Sequence, residues 1–179
     1  VIRLILENNL RLKLMDLFSQ AWTIGDYSAD KKSVLEGLVN FFDDRLIVHL
    51  REKGIRHDLI TAGLAVQGES DITQLVESLE VLDEFLKTET GQNLLSAYRR
   101  AVNILRIEEK KDKRLYDNED SIDDKLIHDE NELSLVKNLR DIVPKVKSAL
   151  DVDDYDHAMS LLATLRKFVD AFFDSVTVN

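Results

Sequence analysis

Apolar residues recur every three or four positions along nearly the whole chain, and this spacing constrains the fold more than any other feature. The alternation of apolar and polar residues that a half-buried β-strand needs is nearly absent. The longest example places five apolar residues on one helix face: Leu35, Leu38, Phe42, Leu46 and Leu50. Six Gly and one Pro in 179 residues leave few positions for turns. The sequence therefore predicts an all-α fold, a single helical bundle of about seven to eight helices over residues 1–179.

Turn and capping residues indicate where individual helices begin and end. Gly54 is expected to end the third helix, because glycine readily takes the left-handed conformation of a C-terminal cap. Thr90 is the expected N-cap of the sixth helix. The last helix is predicted to begin after a cap at Asp153 or Asp154. It is predicted to bury Leu165, Phe168 and Phe172, which share one of its faces.

Residues 112–131 interrupt this helical pattern. From Asp117 to Glu132 the chain has eight acidic residues and one Lys. A dense block of like charge buries little apolar surface and repels itself. We therefore expect a mobile acidic loop within the domain at 112–131.

Composition limits the classes of protein to which the chain can belong. Hydrophobic residues make up 44% and charged residues 32%, which is typical of a soluble globular protein. The absence of cysteine excludes disulfides, thiolate metal sites and cysteine nucleophiles. No apolar run is long enough to span a membrane, and no signal peptide opens the chain. Because the chain starts directly on the apolar run VIRLILENNL, we expect it to be a fragment of a longer subunit.

No motif in the sequence predicts a catalytic centre or a metal site. The four histidines lack metal-ligand spacing, the glycines are too scattered for a phosphate-binding loop, and the nucleophile elbow is absent. The string DVDDYD at 151–156 begins like a calcium loop but has Asp156 where the loop needs Gly. A metal-dependent enzyme that uses His57 and Asp58 would need further carboxylates to converge on the same cavity.

Two regions carry a local excess of positive charge although the chain has a net charge of −10. Residues 98–114 hold seven basic and three acidic residues, a net of +4, and residues 45–57 hold four basic and one acidic, a net of +3. On a helix at about 100° per residue, six polar residues in and just before the first region fall within about 80°. None of them is acidic, and we call them the acid-free stripe: Gln92, Ser96, Arg99, Asn103, Arg106 and Lys110. Such a pattern fits either a solvated helix face or a binding surface.

Four strings of sequence together resemble, in order, the C-terminal region of the beta subunit of bacterial-type tetrameric glycyl-tRNA synthetase. The strings are VIRLILENNLRL at 1–12, FFDDRLIVHLREKGIRHDLITAGLA at 41–65, SLEVLDEFLKTETGQNLLSAYRRAVNIL at 78–105 and LRKFVDAFFDSVTVN at 165–179. Residues 107–132 match least well. The resemblance implies a helical, DALR-like anticodon-binding domain of the kind also found in arginyl-tRNA synthetase.

The resemblance also implies a function, partners and a location. The segment would recognise the anticodon arm of glycine tRNA and support the ATP-dependent attachment of glycine to that tRNA by the full enzyme. Aminoacylation would be carried mainly by the alpha subunit, which this segment would reach through the full beta subunit. The segment itself would need no cofactor, whereas the full enzyme would use ATP and magnesium. No DNA or membrane partner is implied, and the location would be the bacterial cytoplasm.

The RNA contacts that the resemblance and the local charge suggest lie in both basic regions. They are Arg99, Arg100, Asn103, Arg106, Gln92, Lys110, Arg45, Arg51 and Arg56. Proteins read RNA sequence at unstacked loop bases. Glycine anticodons end in two cytosines, and the N4 amine of a cytosine can donate a hydrogen bond to an Asp or Glu carboxylate. We predict a phosphate contact for Arg99 and base reading for Asn103. The alternative is a helical protein–protein scaffold without RNA contact, which an exposed apolar patch around Leu95 and Val102 would favour.

Overall fold

The structure is a computed structural model that describes residues 1–67, 71–116, 122 and 127–175. Within those ranges it contains nine α-helices and no β-strand. The helices are α1 (Ile2–Glu7), α2 (Leu14–Ile24), α3 (Lys31–Glu52), α4 (His57–Gln67), α5 (Ile72–Lys87), α6 (Glu89–Asp112), α7 (Glu130–Leu150), α8 (Tyr155–Thr164) and α9 (Arg166–Ser175). The predicted all-α class is confirmed.

The chain divides into two compact units, Val1–Asp83 and Glu84–Asn179. The division falls inside α5, so each unit contains part of that helix. That residues 1–179 form one domain stays a prediction. None of the helices in the described ranges combines the length and the apolar character that crossing a bilayer requires.

In the first unit, α3 is the central helix, since α1, α2 and α4 all pack against it. The core of this unit is built from apolar side chains that are almost wholly excluded from solvent: Leu46, Leu50, Ile60 and Ile72. Leu46 and Leu50 lie one helical turn apart on α3, as the apolar spacing predicts. Leu38, by contrast, is 36% exposed, so the buried face of α3 is shorter than the sequence pattern.

The corner between α3 and α4 depends on Gly54, the residue predicted to end the third helix. Gly54 has φ of 86°, and its N–H donates to the carbonyl of Arg51 at 2.9 Å. The N–H of Ile55 donates to the carbonyl of Leu50 at 3.1 Å. These two bonds form a Schellman motif, which satisfies carbonyls that the helix end would otherwise leave unpaired. Ile55 and Leu50 are both buried, so the motif has its usual apolar contact.

In the second unit, α7 packs against α8 and α9, and α6 contacts the same two helices. Five apolar side chains of α7, α8 and the junction that follows are buried: Val136, Ile142, Ala149, Ala158 and Leu165. Among the described residues of α6, Gly91 alone is buried. The helix α6 therefore lies at the surface of its unit and leaves most of its circumference accessible.

Three sequence predictions in the second unit are wrong. The N-cap of α6 is Thr88, because it is the Thr88 hydroxyl that accepts from Gly91 N–H at 3.0 Å, and Thr90 already lies inside the helix. The predicted last helix is two helices, α8 and α9, separated at Leu165. Leu165 is buried as predicted, but Phe168 and Phe172 are only half-buried. The break at Leu165 divides the predicted continuous apolar face between two helices.

The segment expected to form a mobile acidic loop lies partly outside the described residues, which omit 117–121 and 123–126. On one side of it α6 ends at Asp112, followed by Lys113 in the left-handed conformation with φ of 52°. On the other side α7 begins at Glu130, and the Asp129 carboxylate caps it by accepting from two backbone N–H groups. The expectation of mobility within 112–131 stays a prediction.

Candidate functional site

The helix α6 is held at its start by a tight turn from α5. Thr88 caps α6, and the Gly91 Cα approaches the end of α5 so closely that an added Cβ would lie 2.1 Å from the carbonyl oxygen of Phe85. Only glycine fits there without a backbone shift. This contact fixes how the first turn of α6 packs on Phe85 and Leu86, which both belong to the second unit.

All six residues of the acid-free stripe are exposed on α6. Three of them are cationic at neutral pH: Arg99, Arg106 and Lys110. Within the described part of the chain, no hydrogen bond or ion pair engages the side chains of Arg99, Asn103, Arg106 or Lys110. The predicted helical stripe thus exists as a surface whose charged groups are available to a ligand.

Other cations near the stripe are already engaged. The Arg100 guanidinium lies 4.3 Å from the centroid of the Phe173 ring on α9. Lys111 forms an ion pair with Glu108 at 3.2 Å. Arg114 lies over the ring of Tyr116 at 4.4 Å. Of the seven cations in residues 98–114, those without a partner among the described residues are therefore Arg99, Arg106 and Lys110 on the stripe and Lys113 just beyond α6.

Tyr116, just beyond the C-terminal end of α6, has a perturbed phenol. Its hydroxyl donates to the Asp112 carboxylate in a short hydrogen bond. That bond, with smaller contributions from desolvation and the negative charge of Asp112, raises the pKa of the Tyr116 phenol above its usual value.

The second basic region, which we call the α3–α4 cluster, consists of Arg45, Arg51, Lys53 and Arg56. Arg45 lies 5.1 Å from the centroid of the Phe41 ring. Arg51 Nη2 lies 3.1 Å from Nδ1 of His57, to which it can donate. Each of these two arginines therefore has a partner within its own unit.

The other two cations of the α3–α4 cluster form short ion pairs. Lys53 Nζ lies 2.6 Å from Glu80, and Arg56 donates to both carboxylate oxygens of Asp58, at 3.1 and 2.6 Å. The hydrogen bond from Arg56 is the main reason that the pKa of Asp58 is lowered. Reciprocally, Asp58 raises the pKa of Arg56, with a smaller contribution from the charge of buried Asp83. This cluster stabilises its own corner of the fold.

Leu95 and Val102 do not form the exposed apolar patch that would favour a protein–protein scaffold. Leu95 and Val102 are only half-exposed. The exposed apolar residues of α6 are instead Tyr98 and Leu105, at 64% and 41%, and Ile107 further along. The spacing of apolar residues in the sequence could not show which face of α6 is exposed, because it does not indicate which side of α6 packs against α8 and α9.

The structure does not bring together the residues that a metal-dependent enzyme would need. Among the described residues, no group of three or more His, Asp or Glu side chains is placed to hold a metal ion. His57 lies against Arg51, and Asp58 pairs with Arg56.

A cavity between α6 and α9 was missed by sequence reasoning. Its volume is about 260 Å³, and four residues from each helix line it: Asn93, Ser96, Ala97 and Arg100 from α6, and Arg166, Asp170, Phe173 and Asp174 from α9. Each set is spaced at three and four residues and so occupies one helix face. The sequence contains both sets but not the pairing of α6 with α9, so no local signal predicts the cavity.

Comparison with known families gives a match within the second unit. Residues 94–179 match the DALR anticodon binding domain. The match begins in the first third of α6 and includes Arg99, Asn103, Arg106 and Lys110 of the acid-free stripe.

The whole chain also matches curated glycine–tRNA ligase beta subunits. It is 45% identical to the protein of Rhodospirillum centenum and 40% identical to that of a Ruegeria species, each over 179 residues. It is 41% identical over 186 residues to the protein of Cereibacter sphaeroides. In each case all of this chain is covered, but only 25 to 26% of the relative. The chain spans about a quarter of the length of the curated relatives it matches.

Proposed function

Because residues 94–179 belong to the DALR anticodon binding domain family and the whole chain is related to part of the glycine–tRNA ligase beta subunit, we propose that it recognises the anticodon arm of glycine tRNA. In this role the chain supports the attachment of glycine to its tRNA by a larger enzyme. The alpha subunit, ATP and magnesium act elsewhere in that enzyme.

The observation that carries this proposal is the exposed acid-free stripe without intramolecular partners. Arg99, Arg106 and Lys110 can donate to phosphate oxygens without first breaking an ion pair to a described residue. Arginine donors suit phosphates because the guanidinium can form two parallel hydrogen bonds. The whole chain has a net charge of −10, so the surface outside the stripe is predominantly acidic. That surface repels RNA and so discourages non-specific binding.

Within this interface Arg99 serves as a phosphate contact and Asn103 as a base reader. The two lie four residues apart, so they share one face of α6 and can contact one loop. Contacts by Arg45, Arg51 and Arg56 stay a prediction. Each of these three already has a partner at the α3–α4 corner.

A footprint of glycine tRNA on the complete two-subunit enzyme tests the proposal. Enzyme with the intact beta subunit should protect the anticodon arm, and the same enzyme with Arg99→Ala and Arg106→Ala should lose that protection. Protection of the acceptor arm in both samples controls for overall binding. An anticodon arm that stays accessible with the intact enzyme contradicts the proposal.

The exposed side chains of Tyr98 and Leu105 favour a second candidate, a contact with another protein surface. They lie seven residues apart, and with exposed Ala101 between them they form an apolar strip on α6. If Tyr98, Ala101 and Leu105 form the functional surface in place of the acid-free stripe, Tyr98→Asp should disrupt assembly of the enzyme. In that case the tRNA footprint should be unchanged by loss of Arg99 and Arg106.

A further inference from the structure

We propose that the cavity between α6 and α9 receives one cytosine of the glycine anticodon and reads its base edge. The proposal rests on the proposed anticodon-arm function and identifies where in the second unit one base is read. Its volume of about 260 Å³ is below the roughly 300–1,000 Å³ of pockets that enclose drug-sized ligands. A single pyrimidine base therefore suits the cavity better than a whole cofactor.

The cavity has a flat surface on which a base can stack. Arg100 covers one side of the Phe173 ring at 4.3 Å, and Phe172 meets Phe173 edge-on with ring centroids 5.3 Å apart. The two phenylalanines are half-buried, whereas Arg100 is exposed. The outer side of a guanidinium held in this way is a stacking surface for an unstacked RNA base. A base on Arg100 would complete a stack of base, guanidinium and ring.

The polar groups around this surface complement the hydrogen-bonding edge of cytosine. Cytosine presents the N4 amine as a donor and offers acceptors beside it. Asp174 lines the cavity, and no described residue pairs with its carboxylate, so it can accept from N4. Asn93 and Ser96 also line the cavity without a side-chain hydrogen bond to the described residues, and both can donate.

The other acid of the cavity has a different role. Asp170 pairs with Arg166 at 3.5 Å, and Arg166 also reaches Glu89 at 3.5 Å. This network links the first turns of α6 and α9 and fixes the wall of the cavity. Asp174 is thus the carboxylate of the cavity that is left for a base.

The cavity also lies where a loop bound to the stripe can deliver a base. Ser96 belongs both to the acid-free stripe and to the lining of the cavity, and Arg100 follows Arg99 directly. A phosphate held by Arg99 would therefore place the attached nucleotide at the edge of the cavity. A larger neighbouring cavity of about 510 Å³ shares Arg166 and Asp170 with this one and adds the cation Lys167. The RNA backbone can continue there.

The decisive variant is Asp174→Asn, because it replaces an acceptor by a side chain that can also donate. Uracil differs from cytosine in presenting O4, an acceptor, where cytosine has its N4 donor. The complete enzyme should be assayed for kcat/KM with glycine tRNA and with two copies that carry a single cytosine-to-uracil change, one at each anticodon cytosine. We expect the wild-type enzyme to prefer cytosine at both positions. Asp174→Asn should lower that preference about tenfold at one position and leave it at the other.

Asp156→Asn is the matched control, since Asp156 is an exposed acid of the same unit that does not line the cavity. It removes the same charge and should leave the preference at both positions as in the wild type. Three outcomes overturn the proposal: Asp174→Asn keeps the wild-type preference, it weakens all three tRNAs alike, or the wild type shows no preference at either position. The footprint of the anticodon arm tests the proposed function separately from the cytosine preference. An enzyme that protects the anticodon arm but keeps its cytosine preference in Asp174→Asn would therefore overturn the role of the cavity alone.

A second pair of variants tests the stacking surface. Arg100→Lys keeps the charge but loses the planar guanidinium on which a base stacks. It should reduce kcat/KM for glycine tRNA several-fold and by more than Arg99→Lys. A lysine at 99 loses the second hydrogen bond to a phosphate but keeps a charged donor, whereas a lysine at 100 offers no plane for stacking. Equal effects of the two changes would show that Arg100 is not a base platform.

Discussion

The α3–α4 cluster and the acid-free stripe look alike in sequence but differ in the folded chain. Each lies in a basic region of similar net charge, +3 and +4, in an acidic protein. In the cluster, a ring, an imidazole or a carboxylate engages each cation. On the stripe, Arg99, Arg106 and Lys110 have no such partner among the described residues. Net charge therefore does not decide whether a basic region is available to a ligand; its local partners do.

The largest expected effect concerns the core beneath the α3–α4 cluster. Leu50→Ala should lower the free energy of unfolding by about 2–5 kcal/mol, because Leu50 is fully buried and its truncation leaves a cavity. Arg99→Ala on the exposed stripe should change it by less than about 0.5 kcal/mol. Chemical denaturation of both variants checks the contrast. Equal losses of stability would mean that the stripe is also structural.

The second prediction compares RNA binding by the two basic regions. Removing Arg99 and Arg106 together should weaken binding of glycine tRNA to the complete enzyme by about 1.5–3 kcal/mol, because charge-assisted contacts are lost. The slope of log K against log salt should fall by about two units. Removing Arg51 and Arg56 should lower the slope by less, because each of these arginines already has an intramolecular partner that RNA must displace. If loss of Arg51 and Arg56 lowers the slope as much as loss of Arg99 and Arg106, the intramolecular partners of the α3–α4 cluster do not prevent its arginines from binding RNA.

The third prediction tests the turn that holds the α3–α4 cluster. Gly54→Ala should destabilise the chain by about 1–2 kcal/mol, since Gly54 has φ of 86° and a residue with Cβ is strained there. Gly37→Ala is the control on the same helix, because nothing lies within 4 Å of its added Cβ. That change should instead stabilise by about 0.4–1 kcal/mol. Thermal unfolding that ranks the two variants in the opposite order would contradict the role of Gly54.

The smallest expected effect is the pH response of the Asp58–Arg56 pair. The folded-state pKa of the Asp58 carboxyl is lowered from 3.8, chiefly by the hydrogen bond from Arg56. The pair therefore adds stability above the unfolded pKa and loses it as pH falls through the folded pKa. The effect on stability is small because the pair is exposed. NMR titration should show the pKa of Asp58 returning towards 3.8 in Arg56→Ala, and an unchanged pKa would remove Arg56 as the cause.

Local signals predicted much of the site because α6 is long and regular. The three- and four-residue spacing that placed Arg99, Asn103 and Arg106 on one face required only the geometry of one helix. The same reasoning failed at Thr90, which lies two residues after the true cap at Thr88. It failed again at Phe172, because a helix break at Leu165 and the packing of α9 depend on contacts distant in sequence.

By itself the sequence determined the all-α class, the Gly54 turn and the existence of the acid-free stripe, because all three follow from interactions within a few residues. Only the tertiary structure decided which cations are engaged, since Lys53 and Glu80 lie 27 residues apart in the chain, and Arg100 and Phe173 are on different helices. The α6–α9 cavity likewise exists only because two distant helix faces meet. Helix periodicity specifies a face, but the partner of that face is selected by packing in three dimensions.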